Sequence, residues 1–284
     1  MEPIRYSNGS YWRPSNGFYA EAPEQSLAFY LNGEIDYGSS ITTQVLGPNN
    51  TIVMEGMVVI NKASQMATNL STAAFSGSSP RTGGGMVYLS EIGSHGILVA
   101  MGGTYQVASG LDDLELVDFM SLAEVNVYDI GAYYGNNNVP NHGWFTRNAT
   151  SDVPEPRTEF CVVAINAYAK SNYNIYLYGG RGPNNVFYDN VYVLSIPSFI
   201  WTKVFGPGLS PRYDHTCHVI GRQMITVGGG SPAFASDPQS YCDWEEKGVA
   251  VLHMSNTIWG SVYSINAVNY SVPDMVSAKV GDHV

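Results

Sequence analysis

His215-Thr216-Cys217-His218 is the densest group of metal-ligand side chains in the sequence. Imidazole and thiolate are the donors that zinc and copper take. On a strand, however, residues three apart point to opposite faces, so one ion cannot take both His215 and His218. The group therefore reads as part of an ordinary strand, with no metal and no cofactor expected. Cys161, Cys217 and Cys242 are the three cysteines, an odd number. Either Cys217 and Cys242 form one bridge, or all three are buried reduced thiols. The acidic run 111–118 holds Asp112 and Asp113 but lacks the alternating ligands and the glycine of a calcium loop, so it reads as a solvated loop. Arg81, Arg157 and Arg212 each follow a proline, and Arg181 follows Gly179-Gly180. The planar fork of arginine suits carboxylates and carbonyls. One reading is recognition of an acidic or carbonyl-bearing ligand. The other is that these arginines tie neighbouring loops together through backbone carbonyls.

The elements that would carry these residues repeat. Pro156-Arg157 leads into an apolar run at 160–165, then an extended run at 174–178, then Gly179-Gly180. The run 191–194 and Trp201 complete the unit. The same order recurs with Pro211-Arg212, 225–227, Gly228-Gly229, 248–252 and Trp259. It recurs again with Pro80-Arg81, 97–101, Gly102-Gly103, 124–128 and Trp144. A unit of roughly 50 to 75 residues marks a repeat architecture. Each unit is expected to be an antiparallel sheet of four strands, a to d, rich in the β-branched and aromatic residues that suit a pleated surface. The double glycine ends an inner strand where a Cβ would crowd its neighbours. The late tryptophan is a large apolar plate able to pack between one sheet and the next. A single sheet of this size cannot bury both faces, and radial stacking solves that as a β-propeller.

Bulk composition limits the functional classes. The 284 residues are 44% hydrophobic, enough for a core, and only 13% charged. A net charge of -11 argues against nucleic-acid backbones and anionic membranes as partners. No stretch reaches the ~20 apolar residues of a bilayer span. The N-terminus shows no apolar signal region, which suggests an intracellular protein or a piece of a longer one.

The order Pro-Arg, Gly-Gly, Tyr, Trp resembles kelch repeats, well over 156–201 and 211–259, more loosely over 80–144 because of a long insertion at 103–123. Residues 17–69 look like a decayed unit. The phrases Arg13-Pro14-Ser15-Asn16-Gly17-Phe18, 210–218 and Cys242-Asp243-Trp244-Glu245 resemble kelch-repeat proteins of ascomycete fungi, typically carrying a signal peptide and often a membrane segment. The resemblance implies an all-β propeller with blades near 17–69, 71–145, 146–204 and 205–260, and partial blades at 1–16 and 261–284. Since kelch propellers usually close with more blades, a fragment is one reading. Copper-radical oxidases share a kelch-like propeller, but the scattered histidines here offer no pairing for that chemistry.

The expectation is therefore a non-catalytic scaffold that presents a loop face to a protein or carbohydrate. Its binding residues are expected to be Arg81, Arg157, Arg181, Arg212, Tyr105, Asp112, Asp113, Tyr188 and Trp244, on loops 103–123, 181–189 and 230–247. The expected setting is the cell surface or secretory lumen, a cytoplasmic adaptor for an acidic segment being the alternative. The N-glycosylation triplets at Asn8, Asn49, Asn69, Asn148 and Asn269 favour the exterior.

Overall fold

The computed structural model describes residues 5–6, 14–47, 50–72, 80–107, 116–135, 140–167, 172–208, 210–231 and 249–281. The described chain is nearly all β, with one α-helix, Asp274–Val280. Four antiparallel meanders of four strands dominate it. In the first sheet, strands a to d are Phe18–Ala22, Leu27–Leu31, Met57–Asn61 and Met66–Leu70. In the second they are Gly85–Leu89, Ile97–Met101, Glu124–Asp129 and Trp144–Asn148. In the third they are Cys161–Asn166, Tyr173–Tyr178, Val191–Ile196 and Ile200–Phe205. In the fourth they are Thr216–Ile220, Gln223–Val227, Val249–His253 and Ile258–Gly260.

Each sheet is ordered a-b-c-d, so every strand pairs with its chain neighbours. In the third sheet the register sets Val163 opposite Tyr176 and Tyr176 opposite Val193, a ladder of branched and aromatic side chains. Strands b and c of that sheet are buried at every position, which is why their sequences run apolar without a clean alternation.

The chain forms two compact units. One comprises residues 1–120 and 124–147, the other 121–123 and 148–284. In the first unit, strand a of the first sheet packs against strand a of the second. Phe18, Phe29, Met57, Leu98, Tyr128 and Trp144 form its core. In the second unit, the a strands of the third and fourth sheets pack together, and the core gathers Tyr176, Val193, Val204, Met224, Leu252 and Val276.

The ends depart from expectation. Arg5–Tyr6 adds in parallel to strand d of the first sheet. Residues 261–281 were expected to open a further blade, but they contain no strand. Val272, Val276 and Val280 recur every four residues, a helical period, and pack on the second unit's core. The helix lies against strands c and d of the third sheet. The insertion expected as a loop carries strands instead. Thr104–Val107 and Leu116–Phe119 pair as hairpin arms, and Arg81–Thr82 joins them as a third strand.

Candidate functional site

The repeat arginines make the same clamp in both units. Arg157 is fully buried; its Nη1 donates to the Gly179 carbonyl at 3.0 Å and to Asn190 Oδ1 at 2.7 Å. Its Nε donates to the Glu155 carbonyl at 3.0 Å, and the guanidinium lies 3.8 Å over the ring of Tyr188. Arg81, 1% exposed, donates to the Gly102 carbonyl at 3.4 Å and to Asn126 Oδ1 at 2.6 Å. Arg212 donates to the Gly228 carbonyl at 2.7 Å and is also buried. In each case an arginine before strand a grips the first glycine after strand b. Burial pulls Arg81 down to about 10 and lowers Arg157 as well, since a low-dielectric setting disfavours the charged form.

This geometry corrects the idea that all four arginines offer charge to solvent. Arg81, Arg157 and Arg212 face inward, because the carbonyls at the ends of strands b need donors once buried. Arg181 is partly exposed but paired with Glu159 at 2.5 Å. Asn126 and Asn190, which complete two of the clamps, escaped the sequence reading. The signal was available: Asn190 stands just before strand c of its sheet and Asn126 is the third residue of strand c of its own.

The double glycines sit where that crowding is greatest. Gly179 has φ +70°, and a Cβ there would lie 2.4 Å from the Arg212 carbonyl oxygen of the neighbouring sheet. Gly103, with φ +89°, would set a Cβ 2.5 Å from the Thr82 carbonyl oxygen. The tryptophans are not equivalent. Trp144 and Trp201 are buried, and Trp201 Nε1 donates to the Leu122 carbonyl at 2.9 Å. Trp259 is only half-buried, 4.7 Å from Tyr178 and 6.4 Å from Phe205 between ring centroids. It still lies between the third and fourth sheets, but among the described residues no further strand pairs with its own, Ile258–Gly260.

The strand ends that carry the clamps also carry the irregular loops. In the first unit the hairpin follows Gly102-Gly103, with Tyr105 donating to Asp118 at 3.1 Å and Val117 exposed. In the second unit, residues 181–188 follow Gly179-Gly180; Val186 is exposed, and Phe187 packs at a tilt against Tyr213 with ring centroids 4.9 Å apart. Asp189 is buried and accepts from the Gly208 and Ser210 amides, which anchors the far end of this loop. Asp112, Asp113, Trp244, Cys242, Asn8 and Asn49 lie outside the described residues. Asn69, Asn148 and Asn269 are exposed, the first two on strands rather than in loops.

The cysteine pairing differs from the expected Cys217–Cys242. Cys161 and Cys217 are bridged, with Cα atoms 5.7 Å apart. The reason is topological: the two residues sit on adjacent a strands, near the same point of successive repeats. His215 lies beside them, edge-on to Tyr178 with centroids 5.0 Å apart. Burial, aided by the charge of Arg212, pushes His215 down to about 3, so the ring is neutral. His218 projects on the exposed side of the strand, as residues three apart must.

No family model matches the chain. A kelch repeat-containing protein of Arthroderma benhamiae is 26% identical over 195 residues, covering 66% of this chain and 25% of the relative. Host cell factor of Drosophila melanogaster is 27% identical over 138 residues, 47% of this chain and 9% of that protein. The chain thus spans a quarter or less of the length of these relatives. The solved structure of YjhT shares the fold at a TM-score of 0.54 and 10% identity, covering 90% of this chain and 67% of that one. Four-stranded meanders, Arg–Gly-Gly clamps recurring from sheet to sheet, and similarity to a relative named for its kelch repeats together support a kelch-repeat β-propeller protein.

Proposed function

We propose that the chain is a non-catalytic scaffold that binds a protein segment through the loops beyond its double glycines. One observation carries this reading. The polar residues that recur from repeat to repeat are spent on internal clamps, while the same strand ends bear non-repeating segments with exposed side chains. Tyr105, Val107 and Val117 line the hairpin of the first unit; Asn184, Asn185 and Val186 cap the loop of the second. Loops on a rigid scaffold are the usual seat of recognition, and mixed apolar and amide side chains suit a peptide surface.

The setting we propose is the cell surface or the secretory lumen. A disulfide is at home in an oxidising compartment, and exposed asparagine triplets are the acceptors glycosylation needs there. The test compares wild type with Val117→Asp and Val186→Asp as immobilised baits against the extracellular fraction of the source cells, with a glycan array in parallel. A protein retained by wild type, lost from both variants and accompanied by unchanged melting temperatures is the expected result. Retention unaffected by either change, or selective glycan capture in place of protein, refutes the reading.

A further inference from the structure

Away from the loops, three ligand-type side chains converge inside the second unit. Cys161 Sγ, Cys217 Sγ and a ring nitrogen of His215 all lie within 4.8 Å of one another. Cys161 is 6% exposed and His215 7%, and Cys217 is half-buried. Among the described residues neither ring nitrogen of His215 has a hydrogen-bond partner, although both are sealed from solvent. A buried polar atom without a partner is costly, and native structures rarely tolerate two on one ring. One of those nitrogens has the two sulfurs within 4.8 Å.

We propose that, when the Cys161–Cys217 bridge is reduced, the two thiolates and His215 bind one soft d¹⁰ cation, Zn²⁺ or Cu⁺. Bridge and ion are then alternative occupants of one site. The exchange balances. A dithiol reductant supplies two electrons and two protons, the S–S bond breaks into two thiols, and the reductant leaves as its own disulfide. Ion binding releases the two thiol protons and forms two sulfur bonds and one nitrogen bond. Two sulfurs and an imidazole select thiophilic ions over calcium or magnesium, which require oxygen donors. The site draws on the a strands of the third and fourth sheets and on the residue just before the latter, so an ion would link the same two sheets that the bridge links. His218, on the opposite side of its strand, takes no part. This inference does not rest on the loop-binding reading.

The test uses the whole chain, reduced with a dithiol that is then removed under anaerobic conditions. Thiol titration should rise from one group, Cys242, to three. Co²⁺ serves as the spectroscopic stand-in for Zn²⁺, and Cu⁺ is titrated separately against a chelator. The reduced chain should bind one equivalent of at least one of these ions, Co²⁺ with a thiolate-to-metal charge-transfer band displaced by Zn²⁺. The oxidised chain should bind none. Cys242→Ser should keep the full stoichiometry, and His215→Ala should weaken binding tenfold or more, with His215→Asn in its place if the alanine variant does not refold. Should the reduced chain lose its strand signal in circular dichroism, recovery on adding the ion supports the site. Binding of neither ion, undiminished affinity in the His215 variants, loss of binding in Cys242→Ser, or failure of the ion to restore a lost fold each overturns it.

Discussion

Arg157 grips the Gly179 carbonyl and Arg181 directly follows Gly179-Gly180, yet the two do opposite work. Arg157 is sealed in, and its removal would leave the Gly179 carbonyl and Asn190 Oδ1 buried without a donor. Arg157→Met is expected to cost about 3 kcal/mol or more. Arg181 shares a partly exposed pair with Glu159, so Arg181→Ala should cost under about 1 kcal/mol. Equilibrium unfolding in urea checks both, and equal midpoints would contradict the clamp. The glycines offer a second contrast. An alanine at Gly179 must keep a left-handed backbone and also displace the Arg212 backbone, for about 3 kcal/mol or more. An alanine at Gly182 meets only the far end of the Tyr188 ring, which can swing aside, for about 1 kcal/mol. Thermal melts of the two variants should differ by several degrees.

Among the elements, the outer strands differ by how much of their tryptophan they enclose. Trp201, fully buried with its indole nitrogen satisfied, should cost about 3–5 kcal/mol when cut to alanine. Trp259 is half-buried on an edge strand and should cost about 2 kcal/mol, because less of its ring leaves water on folding. Denaturant midpoints of the two variants test the difference. The segment after the fourth sheet is held in part by Tyr270, whose hydroxyl meets Tyr176 at 3.0 Å and Asn174 at 3.1 Å. Burial pushes Tyr270 up to about 12 and raises Tyr176 well above its ordinary range. The folded chain therefore holds protons that the unfolded chain has already lost above pH 10. Stability is expected to be intact below pH 10 and to fall as pH rises to about 12. Unfolding measured at intervals through that range should show the decline, and Tyr270→Phe should make it shallower.

For the whole molecule, charge is the property that bears on partners. The chain carries 13 lysines and arginines against 24 acidic residues. Three of those cations, Arg81, Arg157 and Arg212, are buried in clamps, so the surface is more acidic than the count alone implies. The chain should pass unretained through a heparin or DNA resin at pH 7 even at low salt, and should bind an anion exchanger firmly. Retention on the polyanion would mean that a cationic face exists after all. Among the described residues no helix is long and apolar enough to cross a membrane.

The amino-acid order alone determined the all-β repeat, its four meanders and the place of each double glycine, because strand period and turn chemistry are local properties written in neighbouring residues. Which side chains meet across sheets is not local. Cys161 chose Cys217 over Cys242 because two a strands run side by side, 56 residues apart in sequence. Asn126 and Asn190 became clamp partners only when strand c returned beside strand b. Asp274–Val280 formed a helix because Val276 and Val280 found an apolar surface on the third sheet. Even the arginines were legible only as a pair of alternatives. Burial decided between them, since a guanidinium enclosed by folding must satisfy carbonyls that the sequence does not bring near.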